Sequence, residues 1–133
     1  VVFATGEDSA RAKDAARSMV GLYASAMPDE QLERNGIAPA DMKPIITALG
    51  AGDLAGSIDA TTSRIGDTLS IAGTPEECVT KLKEIESAGV NHMILAITDA
   101  HLVKTFMGRE LDGVADVDTQ LRLIHDRIMP EFG

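Results

Sequence analysis

The chain has 133 residues, with 12 Lys+Arg against 21 Asp+Glu and a formal charge of −9. That length fits one domain, and the acidic balance excludes general nucleic-acid binding, which needs a basic footprint. No apolar run approaches the roughly 20 residues of a membrane span; the lone Cys78 and the absence of a signal-peptide pattern point to a reducing cytoplasm.

Val1–Ala4 is a short apolar run that reads as a buried strand, stopped by Thr5-Gly6. A long helix follows, with Asp8 or Ser9 as its cap. Its apolar face would be Ala12, Ala15, Ala16, Met19, Val20, Leu22 and Tyr23. Pro28 and Pro39 each open a further helix, the first ending at Asn35-Gly36 and the second at Gly50. Between Gly52 and Gly73 the positions Leu54, Ile58, Ile65 and Leu69 suggest helix with an irregular end near Ser70.

The stretch "TPEECVTKLKEIESAG" places Cys78, Val79, Leu82, Ile85 and Ala88 on one helical face and stops at Gly89. "VNHMILAITD" is then a near-continuous apolar run, the signature of a parallel strand covered on both faces. Asp118 can cap a last helix with Leu121, Ile124 and Ile128 inward, before Pro130 ends it. The sum is a helix-rich α/β chain with two parallel strands, at 1–4 and 90–98. Two lone strands make a poor sheet, so the 90–98 strand expects neighbours.

"SIAGTPEECVTKLKEIESAGVNHMILA", the terminal "QLRLIHDRIMPEF" and the earlier "AARSMVGLYASAMPDEQLERNGI" together resemble the luciferase-like flavin and deazaflavin oxidoreductases. Within these β/α barrels the chain is most similar to the methylenetetrahydromethanopterin reductase group, which uses coenzyme F-420. The resemblance implies a single C-terminal barrel fragment over residues 1–133. It would hold strand seven (Val1–Ala4), a helical excursion, strand eight (Val90–Thr98) and a terminal helix. A complete barrel takes about 250 residues, so the fragment alone is expected to be inactive.

Barrel chemistry sits at the carboxyl ends of the strands. By resemblance Phe3, Ala4 and Thr5 would line a flat deazaflavin ring, and Ile97, Thr98 and Asp99 would edge the pocket. Cofactor contacts are thus expected at Phe3, Ala4, Thr5 and Thr98, with Thr5 and Asp99 readable equally as turn or cap residues. Tyr23, Ser25 and Met27 could roof a pocket, although helix packing explains them better.

The run "GTPEE" raises a choice between a phosphate-holding loop and a helix start. Thr74 with Glu77 spells a capping box, Pro75 suits a first helical position, and Glu76 and Glu77 would repel phosphate. The helix start is the better reading.

His92, His101 and His125 lack metal-ligand spacing, and Asp53, Asp59 and Asp67 lack a calcium-loop pattern, so no metal is expected. No catalytic dyad stands out. That agrees with hydride transfer, in which the cofactor carries the chemistry.

The reading is therefore part of an F-420-dependent oxidoreductase acting on a pterin or another small molecule. An FMN-dependent luciferase-like monooxygenase and a non-catalytic helical interaction module are the alternatives. Exposed strand edges would favour a homo-oligomer, and neither nucleic acid nor membrane is expected as a partner.

Overall fold

The computed structural model describes all residues, Val1 to Gly133. Strand β1 is Val2–Thr5, four residues buried along their whole length. The chain turns at Gly6 into helix α1, Ser9–Ala24, where the Asp8 side chain accepts from the Arg11 N–H and so caps the first turn. Ala12, Ala15, Ala16, Met19 and Val20 are buried as the spacing predicts, whereas Tyr23 is half exposed.

Short helices α2 (Asp29–Arg34) and α3 (Pro39–Gly50) follow, the latter opened by Pro39. The ambiguous stretch resolves into α4 (Leu54–Ala60) and α5 (Ser63–Leu69). They part at Thr61-Thr62, where the Thr62 hydroxyl accepts from the Ile65 N–H and starts the second helix.

Strand β2, Ser70–Gly73, comes directly off α5 with no intervening loop. Helix α6 runs Pro75–Ser87 and strand β3 is only Ala96–Ile97. Helix α7 (Ala100–Met107) is capped by Asp99 and ended by Gly108 at φ 68. Last comes α8 (Val117–Leu123), which runs on through a π turn, Ile124–Ile128, and a 3-10 turn, Met129–Phe132.

Three expectations need correction. The sheet has three strands rather than two, because Ser70–Gly73 pairs along all of β1. The first strand is 2–5 rather than 1–4, and the expected 90–98 strand shrinks to its end. Only Ala96 and Ile97 pair there with β1, and the Val1 ammonium donates to the Ile94 carbonyl at 2.8 Å. In the last helix Asp116 is the cap rather than Asp118, and Leu121 is half exposed while Gln120 is fully buried. The inward stripe is Gln120, Ile124 and Ile128, an i, i+4 row carried through the π turn.

All strands are parallel and their order is β2-β1-β3. Right-handed crossovers then carry the first connection over one face and the second over the other. The packing agrees. Val2 and Ala4 join α1 in the larger core, with Met19, Val20, Ile45, Ile58 and Ile65. Phe3 and Ile71 face the opposite way, into a smaller core with Cys78 of α6 and Ile128. Both edges of β1 are thus filled from within the chain.

Close packing on the α1 side depends on Gly21. A Cβ there would overlap the Thr61 hydroxyl and lie 3.3 Å from Ile45 Cγ2. Gly21→Ala is expected to destabilise the fold by about 2 kcal/mol through overpacking, read as a lower urea midpoint with an unchanged slope. No helix is long and apolar enough to cross a membrane.

Candidate functional site

The carboxyl ends of β1, β2 and β3 converge on one side of the sheet, bringing together Thr5, Gly73-Thr74 and Thr98. In an open parallel sheet a ligand crevice forms at the carboxyl ends where the strand order reverses. With the order β2-β1-β3, that point lies between β1 and β3. A cleft of about 440 Å³ opens beside it, lined in part by Gly6, Glu7, Asp8, Gly113, Ala115 and Thr119.

The crevice floor is closed by Gln120. Its Oε1 accepts from the Thr5 N–H at 3.0 Å, while its Nε2 donates to the carbonyls of Thr98 and Ala115, each at 2.9 Å. Just below, the ladder is direct: the Thr98 N–H donates to the Phe3 carbonyl at 2.7 Å. The carboxamide therefore replaces the next rung, holding β1 and the end of β3 apart by the width of a side chain.

The four expected cofactor contacts occupy different settings. Thr5 and Thr98 meet across Gln120. Phe3 and Ala4 lie on opposite faces of the sheet, one in each core. All four are buried in this chain. Thr5 Oγ1 is the one buried side-chain oxygen or nitrogen without a hydrogen-bond partner. Asp99 serves as a helix cap, its carboxylate accepting from the Leu102 N–H at 2.8 Å. Tyr23, Ser25 and Met27 sit at the far end of α1, which runs back from the crevice, so they do not roof it.

"GTPEE" forms the expected capping box: the Glu77 N–H donates to Thr74 Oγ1, and the Glu77 carboxylate accepts from the Thr74 N–H at 2.7 Å. The sequence did not reveal that Lys13 Nζ reaches this carboxylate at 2.8 Å, joined by the Ser9 hydroxyl. The Lys13 ammonium, then Ser9 and the Thr74 N–H, hold the Glu77 carboxyl down at about 2. A carboxylate so placed leaves no room for a phosphate at this helix end.

Because Glu77 titrates near 4.5 when unfolded and about 2 when folded, its contribution is complete above 4.5 and is lost as pH falls toward 2. The pair is half exposed, so we set the contribution at about 1 kcal/mol. Glu77→Gln should lower stability by that amount at neutral pH, and the difference from wild type should vanish in urea titrations near the acid limit.

Cys78 lies beneath Thr5 in the smaller core, and burial pushes its thiol up to about 11. It is no nucleophile at neutral pH. No three His, Cys, Asp or Glu side chains group as metal ligands. The cleft at the strand ends is thus lined by backbone groups, Thr119 and the carboxylate-bearing Glu7 and Asp8.

A short parallel sheet packed among helices agrees with what comparison with known proteins returns. The family model for luciferase-like monooxygenases matches residues 1–92, and the chain belongs to that family. A 5,10-methylenetetrahydromethanopterin reductase of Methanolobus tindarius is 34% identical over 93 residues, covering 69% of this chain and 28% of the relative. The enzyme of that name from Methanopyrus kandleri is 31% identical over 93 residues, covering 70% and 27%.

Among solved structures, the coenzyme F-420-dependent tetrahydromethanopterin reductase from Methanopyrus kandleri aligns over 100% of this chain and 34% of its own. Its TM-score is 0.80 at 25% identity. The helix-rich α/β fold is therefore that of a piece of a luciferase-like barrel. The chain spans under a third of the length of the curated relatives it matches.

Proposed function

We propose that this chain is the C-terminal portion of a deazaflavin-dependent oxidoreductase that moves hydride between coenzyme F-420 and a small, pterin-type substrate. The observation that carries the reading is the 34% identity to a methylenetetrahydromethanopterin reductase within the matched family range. In this reading β1 corresponds to strand seven, the run ending in β3 to strand eight, and the whole chain to one barrel fragment. When bound, the deazaflavin supplies the hydride chemistry itself.

The residues of this chain would hold and shelter it. Thr5 and Thr98, at the strand ends, would stand nearest the ring, with Phe3 and Ala4 behind them on opposite faces of the sheet. Their burial keeps water from the strand ends. Most of the pocket would come from segments this chain does not contain, so the chain alone would not turn over. A second copy is the macromolecular partner we assign to it.

Cofactor titration of the full-length protein that carries this chain tests the proposal. We expect selective binding of F-420 over FMN and F-420-linked hydride transfer. A folded protein that binds FMN and ignores F-420 would overturn the cofactor assignment and favour the monooxygenase reading. Steady turnover by the chain alone would remove the claim that the pocket lies mainly elsewhere.

A further inference from the structure

Three segments meet at the crevice floor: the end of β1 at Thr5, the end of β3 at Thr98, and the run into α8 at Ala115. One side chain joins them. Gln120 is fully buried, and each hydrogen bond of its carboxamide runs to the backbone of one of the three. Turned end for end, the carboxamide would set N–H against N–H and oxygen against oxygen, so its partners fix its orientation. A satisfied buried network of this kind specifies one arrangement of the chain.

That arrangement includes the cleft walls. Gly6, next to Thr5, and Ala115 both line the cleft. A Cβ added at Gly6 would lie 3.6 Å from Ala115 Cβ, so at this point the walls stand one methyl group apart. Gln120 holds the backbone beside both walls, through the Thr5 N–H and the Ala115 carbonyl.

We propose that Gln120 is a positioning residue for the hydride transfer: it holds Thr5, Thr98 and Ala115 at one spacing and so fixes the wall on which the deazaflavin ring would rest. The inference rests on the proposed function and adds to it a residue that stands behind the wall rather than in it. Most of the pocket would come from segments outside this chain, so altering Gln120 leaves the cofactor bound. Alignment is what is lost, and the effect falls on kcat rather than on the KM for F-420. A misplacement of about 1 Å can cost about 100-fold in rate.

The test uses the full-length protein that carries this chain, with kcat expressed per F-420-binding site so that unfolded molecules are not counted. Gln120→Leu removes all three bonds, and kcat should fall by up to about 100-fold at every pH, with little change in KM. Gln120→Glu has no hydrogen to donate as a carboxylate. Once protonated it can donate to one carbonyl while its other oxygen accepts from Thr5. Its three partners are backbone groups, and Glu7 and Asp8 of the cleft are common to both proteins, so the ratio to wild type reads position 120. That ratio should recover as the buffer is made mildly acid. The visible circular dichroism of bound F-420, which reads the surroundings of the ring without turnover, should change and recover in parallel.

Gly6→Ala is the companion variant: it puts a methyl group between the walls, leaves the Gln120 bonds intact, and should raise the KM for F-420. Wild-type kcat per site in Gln120→Leu, or a loss in Gln120→Glu that acid does not relieve, would overturn the positioning role. If Gly6→Ala still raises the KM, the crevice remains the cofactor's site. A wild-type protein that does not bind F-420 would overturn the proposed function beneath it.

Discussion

Replacing Gln120 by leucine is expected to cost about 3 kcal/mol of stability, a large share of the roughly 5–15 kcal/mol typical of a domain. Leucine has nearly the same volume, so the loss is one of hydrogen bonds rather than packing. It leaves the Thr5 N–H and the Thr98 and Ala115 carbonyls without the partners they have now. Each such group buried without a partner costs about 1–3 kcal/mol, the carbonyls toward the low end.

A second variant separates hydrogen bonding from shape. Gln120→Glu keeps an acceptor for Thr5 but aims a carboxylate at two carbonyl oxygens in a buried place. Its deficit should shrink as pH falls and the carboxyl gains a proton to donate. Hydrogen exchange should report the change at the Thr5 amide first. A wild-type urea midpoint for Gln120→Leu would mean that Gln120 is not the rung joining the two strands.

What the sequence could and could not disclose follows from the range of each interaction. Helix α6 was legible because its signals are local: Thr74 and Glu77 are three residues apart, Pro75 stands at the first turn, and Gly89 lies just past the end. Strand β2 was hidden because Ser70–Gly73 leaves α5 with no turn residue between, and four residues are too few to show a period. The apolar run at 90–98 shows the reverse error. Its composition suits a buried strand, but only Ala96 and Ile97 pair with β1.

The site divides in the same way. Phe3, Ala4, Thr5 and Thr98 were placed at the strand ends by resemblance, whereas Gln120, which ties two of them together, was passed over. A glutamine on an amphipathic helix reads as solvent face. The only signal was its place four residues before Ile124 and eight before Ile128, in a row that turned out to be buried. Lys13 and Glu77, 64 positions apart, meet only because α1 and α6 both start at the carboxyl end of the sheet.

That meeting point constrains the turn at Gly73 twice over. Its φ of 138 favours glycine, and an added Cβ would overlap the Glu77 carboxylate, lying 2.9 Å from its carboxyl carbon and 3.1 Å from its Cβ. Gly73→Ala therefore meets two obstacles. The backbone must hold a strained conformation, costing about 1–3 kcal/mol. In addition the Glu77 side chain must leave Thr74, Ser9 and Lys13, undoing a cap worth about 1 kcal/mol.

We expect a total loss of about 3 kcal/mol, and a double-mutant cycle apportions it. In a Glu77→Ala background the carboxylate is already gone, so Gly73→Ala should cost only the backbone share, a coupling of at least about 1 kcal/mol. Additive losses would mean that the backbone angle alone constrains Gly73. A coupled result would instead place the turn, the cap and the Lys13 ion pair in one unit, which fixes the end of β2 beside the crevice.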